Sequence, residues 1–211
     1  MTLHQGGGLV ETGAPRGAAR AAVVALHGRG ATAEGILDLL VGELGEPPEV
    51  AFLAPQARHG TWYPQSFLAP LAANEPWLGS ALARAGELVE ELARDGVPAE
   101  RIVLFGFSQG ACLASEFVAR NPRRYGGLVA AVGGRIGPPG TTFSAVGELS
   151  GMPAYFGAGD PDPHVPWSRV AESAASFAAM GAEVTVERLP GFPHAVPPTA
   201  IDFLRRLILL P

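Results

Sequence analysis

Gly106-Phe107-Ser108-Gln109-Gly110 sets a serine between two glycines, with the apolar run "RIVLFG" (101–106) before it and an amphipathic stretch (110–120) after it. Such a G-x-S-x-G at a strand-to-helix junction permits a sharp, strained turn that lifts the serine hydroxyl above a sheet. In a chain with 28 Gly the pattern alone can arise by accident, so its weight comes from that flanking context. Ser108 is the candidate nucleophile. A serine hydroxyl is weakly nucleophilic and needs a neighbouring base, commonly a histidine oriented by a carboxylate. In this arrangement the chain order is serine, acid, histidine.

His164 and His194 both follow Ser108. His194 comes after the strand-like run 183–189 and before the last helical pattern, where a base carried on a loop belongs. His164 follows Asp160 and Asp162 too closely for its ring to swing back onto either. His194 is therefore the candidate base, and His4 and His164 read as ordinary surface or core histidines. The acid should leave the C-terminal end of a strand; "PAYFG" supplies a strand and "AGDPDPHVP" a turn, offering Asp160 and Asp162. Each precedes a proline, which biases both toward extended backbone, and spacing does not separate them. Either could instead hold its own turn or the start of a helix near Pro166.

Negative charge developing on a substrate carbonyl needs hydrogen-bond donors. The backbone N–H of Gln109, next to the nucleophile, is one, and the N–H of Arg29, freed where His27-Gly28 ends an early strand, is the second. The N-terminal "HQGGGL" resembles a glycine-rich oxyanion loop but follows no suitable strand. Trp62, Tyr63, Phe67 and Trp77 cluster in one irregular stretch and are expected to line a substrate pocket, since ligand sites are mostly apolar with aromatic walls. Cys112 lies four residues after Ser108 on the same helix face and reads as buried core. His27, His164, Asp160 and Asp162 have no metal-ligand spacing, and no metal or cofactor is expected.

These groups need a scaffold. Apolar runs at 21–26, 50–54, 101–106, 127–132, 153–157 and 183–189 mostly lack alternation, as strands buried on both faces do. Helical periodicity is clearest at 82–93 and 200–208 and weaker at 32–44, 110–120 and 166–180. Strands alternating with helices predict a mostly parallel sheet of about six or seven strands, with helices on both faces and residues 3–11 as an antiparallel edge. The chain reads as one domain, 1–211, without a large lid. Gly- and Pro-rich stretches at 55–75 and 133–151 are expected beside the site.

The 211 residues are 47% hydrophobic and 17% charged, as in a compact globular chain. A net charge of −5 gives no basic surface for nucleic acid. A single cysteine fits a reducing compartment, and the absence of an 18-residue apolar run or a leader-like segment points to a cytoplasmic protein without membrane insertion. A homodimer is compatible with the sequence.

"ALHGRGATAEG", "LAPQ", "GFSQGACLASE", "GDPDPHVP" and "GFPHAV", in that order from about residue 20 onward, resemble the phospholipase/carboxylesterase family of α/β-hydrolases, which includes acyl-protein thioesterases and small bacterial carboxylesterases. The resemblance implies that the acid is the aspartate directly before P-x-V-P, Asp162, and that Arg29 donates to the oxyanion. This chain departs from the family thioesterases after L-H-G, where it reads Arg29-Gly30-Ala31, and in the single Gly110 where two glycines are frequent. The implied function is a serine carboxylesterase acting on small esters through an acyl-enzyme on Ser108. Acyl-protein thioesterase and lysophospholipase are the alternatives within the family. A non-catalytic binding protein on the same fold is the alternative outside it.

Overall fold

The computed structural model describes residues 3–209, so the expected domain limits of 1 and 211 lie just outside the described residues. Seven strands form one sheet in the order β1-β3-β2-β4-β5-β6-β7. They are β1 Leu9–Gly13, β2 Ala21–Leu26, β3 Val50–Pro55, β4 Ile102–Phe107, β5 Gly127–Ala131, β6 Pro153–Asp160 and β7 Glu183–Pro190. β1 pairs antiparallel with β3, and every other pairing is parallel. The helices α1 Ala33–Leu44, α2 Trp77–Arg94, α3 Gln109–Arg120, α4 Trp167–Ala179 and α5 Pro198–Leu209 are the connections and the C-terminal cover.

The period-2 alternation of the strands sorts the core into two layers. In β2, Ala22, Val24 and Leu26 face α2, α3 and α4, whereas Ala21, Val23 and Ala25 face α1 and α5. All six are buried, which is why this strand is apolar without a break. The edge strands β1 and β7 are the exceptions, with only exposed and half-buried residues. The α1 start is fixed by Thr32, whose hydroxyl accepts from the Gly35 N–H at 3.0 Å.

Three boundaries differ from the sequence expectation. The edge strand begins at Leu9 because residues 3–8 turn to put His4 in the interior. α2 begins at Trp77, five residues before the clear periodicity, since Leu78 and Ala81 are already on its buried face. β6 runs on to Asp160, whose pairing with Pro190 extends the ladder beyond residue 157. The 133–151 stretch has neither helix nor strand. Its start is bound instead by Arg169, which donates to the carbonyls of Arg135 at 3.0 Å and Gly137 at 2.7 Å, and by Glu116, which accepts from Arg135 Nε at 2.9 Å. Burial opposes ionisation of Glu116, but Arg135 and Arg120 outweigh it and hold the carboxyl below its ordinary range.

Candidate active site

Ser108 joins β4 to α3 with φ of 54° and ψ of −116°, a conformation few non-glycine residues adopt. Its neighbours make room for the turn. A Cβ at Gly106 would overlap the Gly110 carbonyl, and a Cβ at Gly110 would overlap the Leu26 carbonyl of β2, so neither position tolerates a side chain. Ser108 N–H donates to the Ala131 carbonyl at 3.0 Å, anchoring the turn to the end of β5.

From the hydroxyl a chain of hydrogen bonds runs outward. Ser108 Oγ lies 2.9 Å from His194 Nε2, and His194 Nδ1 lies 2.8 Å from Asp162 Oδ2. The second oxygen, Oδ1, accepts from the N–H groups of His164 and Val165, both at 2.8 Å. Burial would raise the Asp162 carboxyl; the two backbone donors and His194 overcome that and place it below its ordinary value. An ionised Asp162 accepts only, so Nδ1 carries the imidazole proton and Nε2 is left to accept from Ser108.

Asp160, two residues away, faces elsewhere and pairs with Arg188, whose Nε donates at 2.6 Å. The loops bearing acid and base touch through their backbones. A Cβ at Gly159 would overlap the Phe192 carbonyl, and Gly191 N–H donates to the Asp160 carbonyl at 3.1 Å.

Ser108 lines a cleft of about 530 Å³ together with Gly28, Arg29 and Ala31 of the β2–α1 loop, Tyr63 and Phe67, and His164, Val165 and His194. The backbone N–H groups of Arg29 and Gln109 make no hydrogen bond among the described residues, and both residues line the cleft.

Of the four aromatics expected in the pocket wall, Tyr63 and Phe67 are there; Trp62 and Trp77 are not. Trp62 is fully buried behind the wall, donating from Nε1 to the His27 carbonyl at 2.8 Å, with its ring 5.0 Å from His27 and 5.5 Å from His4. Trp77 meets His4 edge-on at 5.5 Å. The Trp62 indole packs on buried imidazoles because the loop turns it inward, where its N–H finds a carbonyl, and the half-buried Trp77 reaches His4 from the start of α2. His4 is a satisfied core histidine, accepting from Arg58 N–H at 3.2 Å with its other ring nitrogen 3.0 Å from the Trp62 carbonyl.

His164 is exposed, and its ring stands against that of His194 with centroids 4.9 Å apart. Cys112 is buried, and burial pushes its thiol up to about 11, so it stays protonated and inert at neutral pH. Of the residues weighed as metal ligands, His27 is occupied with Gly28 and Ala57, Asp160 with Arg188 and Asp162 with His194.

The sequence profile of the phospholipase/carboxylesterase family matches residues 8–209. The chain belongs to that family. A phospholipase/carboxylesterase from Dyadobacter fermentans superposes with a TM-score of 0.90 at 42% identity, covering 100% of this chain and 99% of that one. Acyl-protein thioesterase 1 of Cryptococcus neoformans is 25% identical over 92% of this chain and 94% of its own length. Esterase PE8 shares the fold, with a TM-score of 0.77, 24% identity and 96% of each chain covered. Family membership makes the chain a hydrolase of the carboxylic ester type. Among the described residues, no helix is long and apolar enough to cross a membrane.

Two side chains escaped the sequence reading of this family member. Arg29 and Gln109 were singled out for their amides, yet each also reaches across to the 60–65 segment with its side chain. No periodicity marks such contacts, since Arg29 and its acceptors lie 34 to 36 residues apart.

Proposed function

We propose that the chain is a serine carboxylesterase that hydrolyses small carboxylic esters through an acyl-enzyme on Ser108. The observation that carries this reading is the unbroken hydrogen-bonded chain Ser108–His194–Asp162 at the base of an open cleft. His194 Nε2 takes the Ser108 proton as Oγ bonds to the ester carbonyl carbon, whose oxygen becomes the oxyanion facing the N–H groups of Arg29 and Gln109. Collapse of that intermediate breaks the bond to the leaving alkoxide, which receives the proton from His194. Water then repeats the sequence on the acyl-enzyme: His194 takes its proton, hydroxide bonds to the carbonyl carbon, and Ser108 leaves reprotonated with the acid as product. Asp162 stays ionised throughout and stabilises the imidazolium.

Tyr63, Phe67, Phe107 and Val165 give the cleft apolar walls within about 530 Å³, which suits short acyl groups. A thioesterase reading is favoured by the similarity to the Cryptococcus acyl-protein thioesterase and uses the same groups with a thiol leaving.

The deciding experiment measures aryl-ester hydrolysis from acetyl to palmitoyl, with mass spectrometry after a fluorophosphonate. Expected are a rate maximum at short acyl groups, one adduct on Ser108, and a loss of about 10⁴-fold or more in Ser108→Ala with the thermal midpoint unchanged. A maximum at palmitoyl moves the reading to long-chain substrates. Absence of both turnover and adduct favours a binding protein.

A further inference from the structure

The 60–65 segment stands between the two amides that face the cleft, and it is bonded to both of the elements that carry them. Toward the β2–α1 loop, Gly30 N–H donates to the Gly60 carbonyl at 2.7 Å, and Trp62 Nε1 donates to the His27 carbonyl. The Arg29 guanidinium donates to three consecutive carbonyls, those of Tyr63 at 2.9 Å, Pro64 at 3.0 Å and Gln65 at 2.8 Å. Toward α3, the Gln109 carboxamide accepts from Trp62 N–H at 3.0 Å and donates to the Tyr63 carbonyl at 2.8 Å. One backbone donor and one backbone acceptor fix which way that carboxamide points. The Tyr63 carbonyl thus receives both side chains.

Two donors stabilise an oxyanion only if both converge within about 2.7–3.1 Å of the position its oxygen will occupy. The Gln109 amide is fixed by the turn of α3. The Arg29 amide lies on a loop beyond the end of β2, with no strand partner to set its distance from Gln109. We propose that the 60–65 segment is the spacer that sets this distance, and that the side chains of Arg29 and Gln109 are positioning residues for the amides of their own backbones. The proposal rests on the serine-esterase reading above. Three carbonyls in a row suit the planar fork of arginine; a lysine could reach one of them, although it keeps the charge.

Three variants test this, Arg29→Met, Arg29→Lys and Gln109→Met, assayed beside Ser108→Ala. For both Arg29 variants kcat should fall by about 10- to 100-fold, the order expected for donors displaced by a fraction of an ångström. KM should move by less than about threefold, because the ground-state ester does not need the donors. The affinity for phenylboronic acid, which forms a tetrahedral adduct on serine, should fall in step with kcat/KM. Thermal midpoints should stay near wild type, since Arg29 is exposed.

Gln109→Met should behave in the same way, and a double variant with Arg29→Met should lose less than the product of the two single losses. Should the buried Gln109→Met not fold, the two Arg29 variants decide alone. Wild-type kcat in Arg29→Lys would show that charge rather than the fork matters and overturns the proposal, as would a change confined to KM. A silent Ser108→Ala beside unaffected Arg29 variants fails the positioning role alone. An active Ser108→Ala fails the serine reading itself.

Discussion

On one flank of Ser108 the groups that would handle the proton in the proposed mechanism form a series: hydroxyl to imidazole, imidazole to carboxylate, carboxylate to two backbone donors. On the other flank the groups proposed to face the oxyanion form a mesh, in which the β2–α1 loop, the 60–65 segment and α3 are tied by several bonds to one another. A series fails completely at any one link. A mesh loses strength gradually as its ties are removed. The two flanks should therefore respond to substitution with different severity, although both reach the same cleft.

The largest effect that could break this comparison lies in the two aspartates. Asp162→Asn keeps the shape but removes the acceptor that holds the His194 tautomer, and kcat should fall by about 10³- to 10⁴-fold. Asp160→Asn loses only a partly exposed pair with Arg188, and activity should stay within about threefold. Equal losses in the two variants, measured on one aryl ester, would mean that the proton flank is no simple series.

A smaller effect concerns acid stability. The Asp162 carboxyl titrates below its ordinary 3.8 in the folded chain, so its stabilising contribution is complete above that value and is lost as pH falls through the folded value. Glu116, also held low, acts in the same window. Asp162→Asn should flatten part of the fall in thermal midpoint below about pH 4. A curve parallel to wild type would show that the native contacts of Asp162 add nothing to stability.

The smallest effect sharpens the account of the mesh. The Tyr63 hydroxyl is buried with the thiol of Cys112, a weak hydrogen-bond partner, at its tip, while the Tyr63 carbonyl carries the ties to Arg29 and Gln109. Tyr63→Phe should leave kcat within about twofold and change stability by no more than about 1 kcal/mol, since the buried hydroxyl has only a weak sulfur partner to lose. A larger destabilisation in a denaturant titration would show that the hydroxyl has a stronger partner in solution.

Much of this was legible in the sequence because burial on both faces writes unbroken apolar runs. β2 and β4 are such runs, and the strand-to-helix context of Ser108 is as visible as the strands that frame it. The separation of Asp160 from Asp162 was not legible from spacing, since both precede a proline in the same turn. It depends on where β6 ends: Asp160 still pairs in the ladder, and Asp162 is the first to turn over the sheet. Trp62 and Tyr63 are adjacent in a loop, and composition does not say which of them turns to the core. That choice follows from a carbonyl, that of His27, waiting behind the wall. The side-chain contacts of Arg29 and Gln109 were hidden for a related reason, because their partners are mostly backbone groups, which leave no mark on residue identity.

At Gly159 the chain gives up a side chain so that the backbone of the His194 loop can rest on the backbone of β6. The gauge between acid and base is thereby set by main-chain atoms, which every amino acid shares. A side chain that points away from this contact can change without moving His194 relative to Asp162, whereas any side chain at Gly159 would push the two apart.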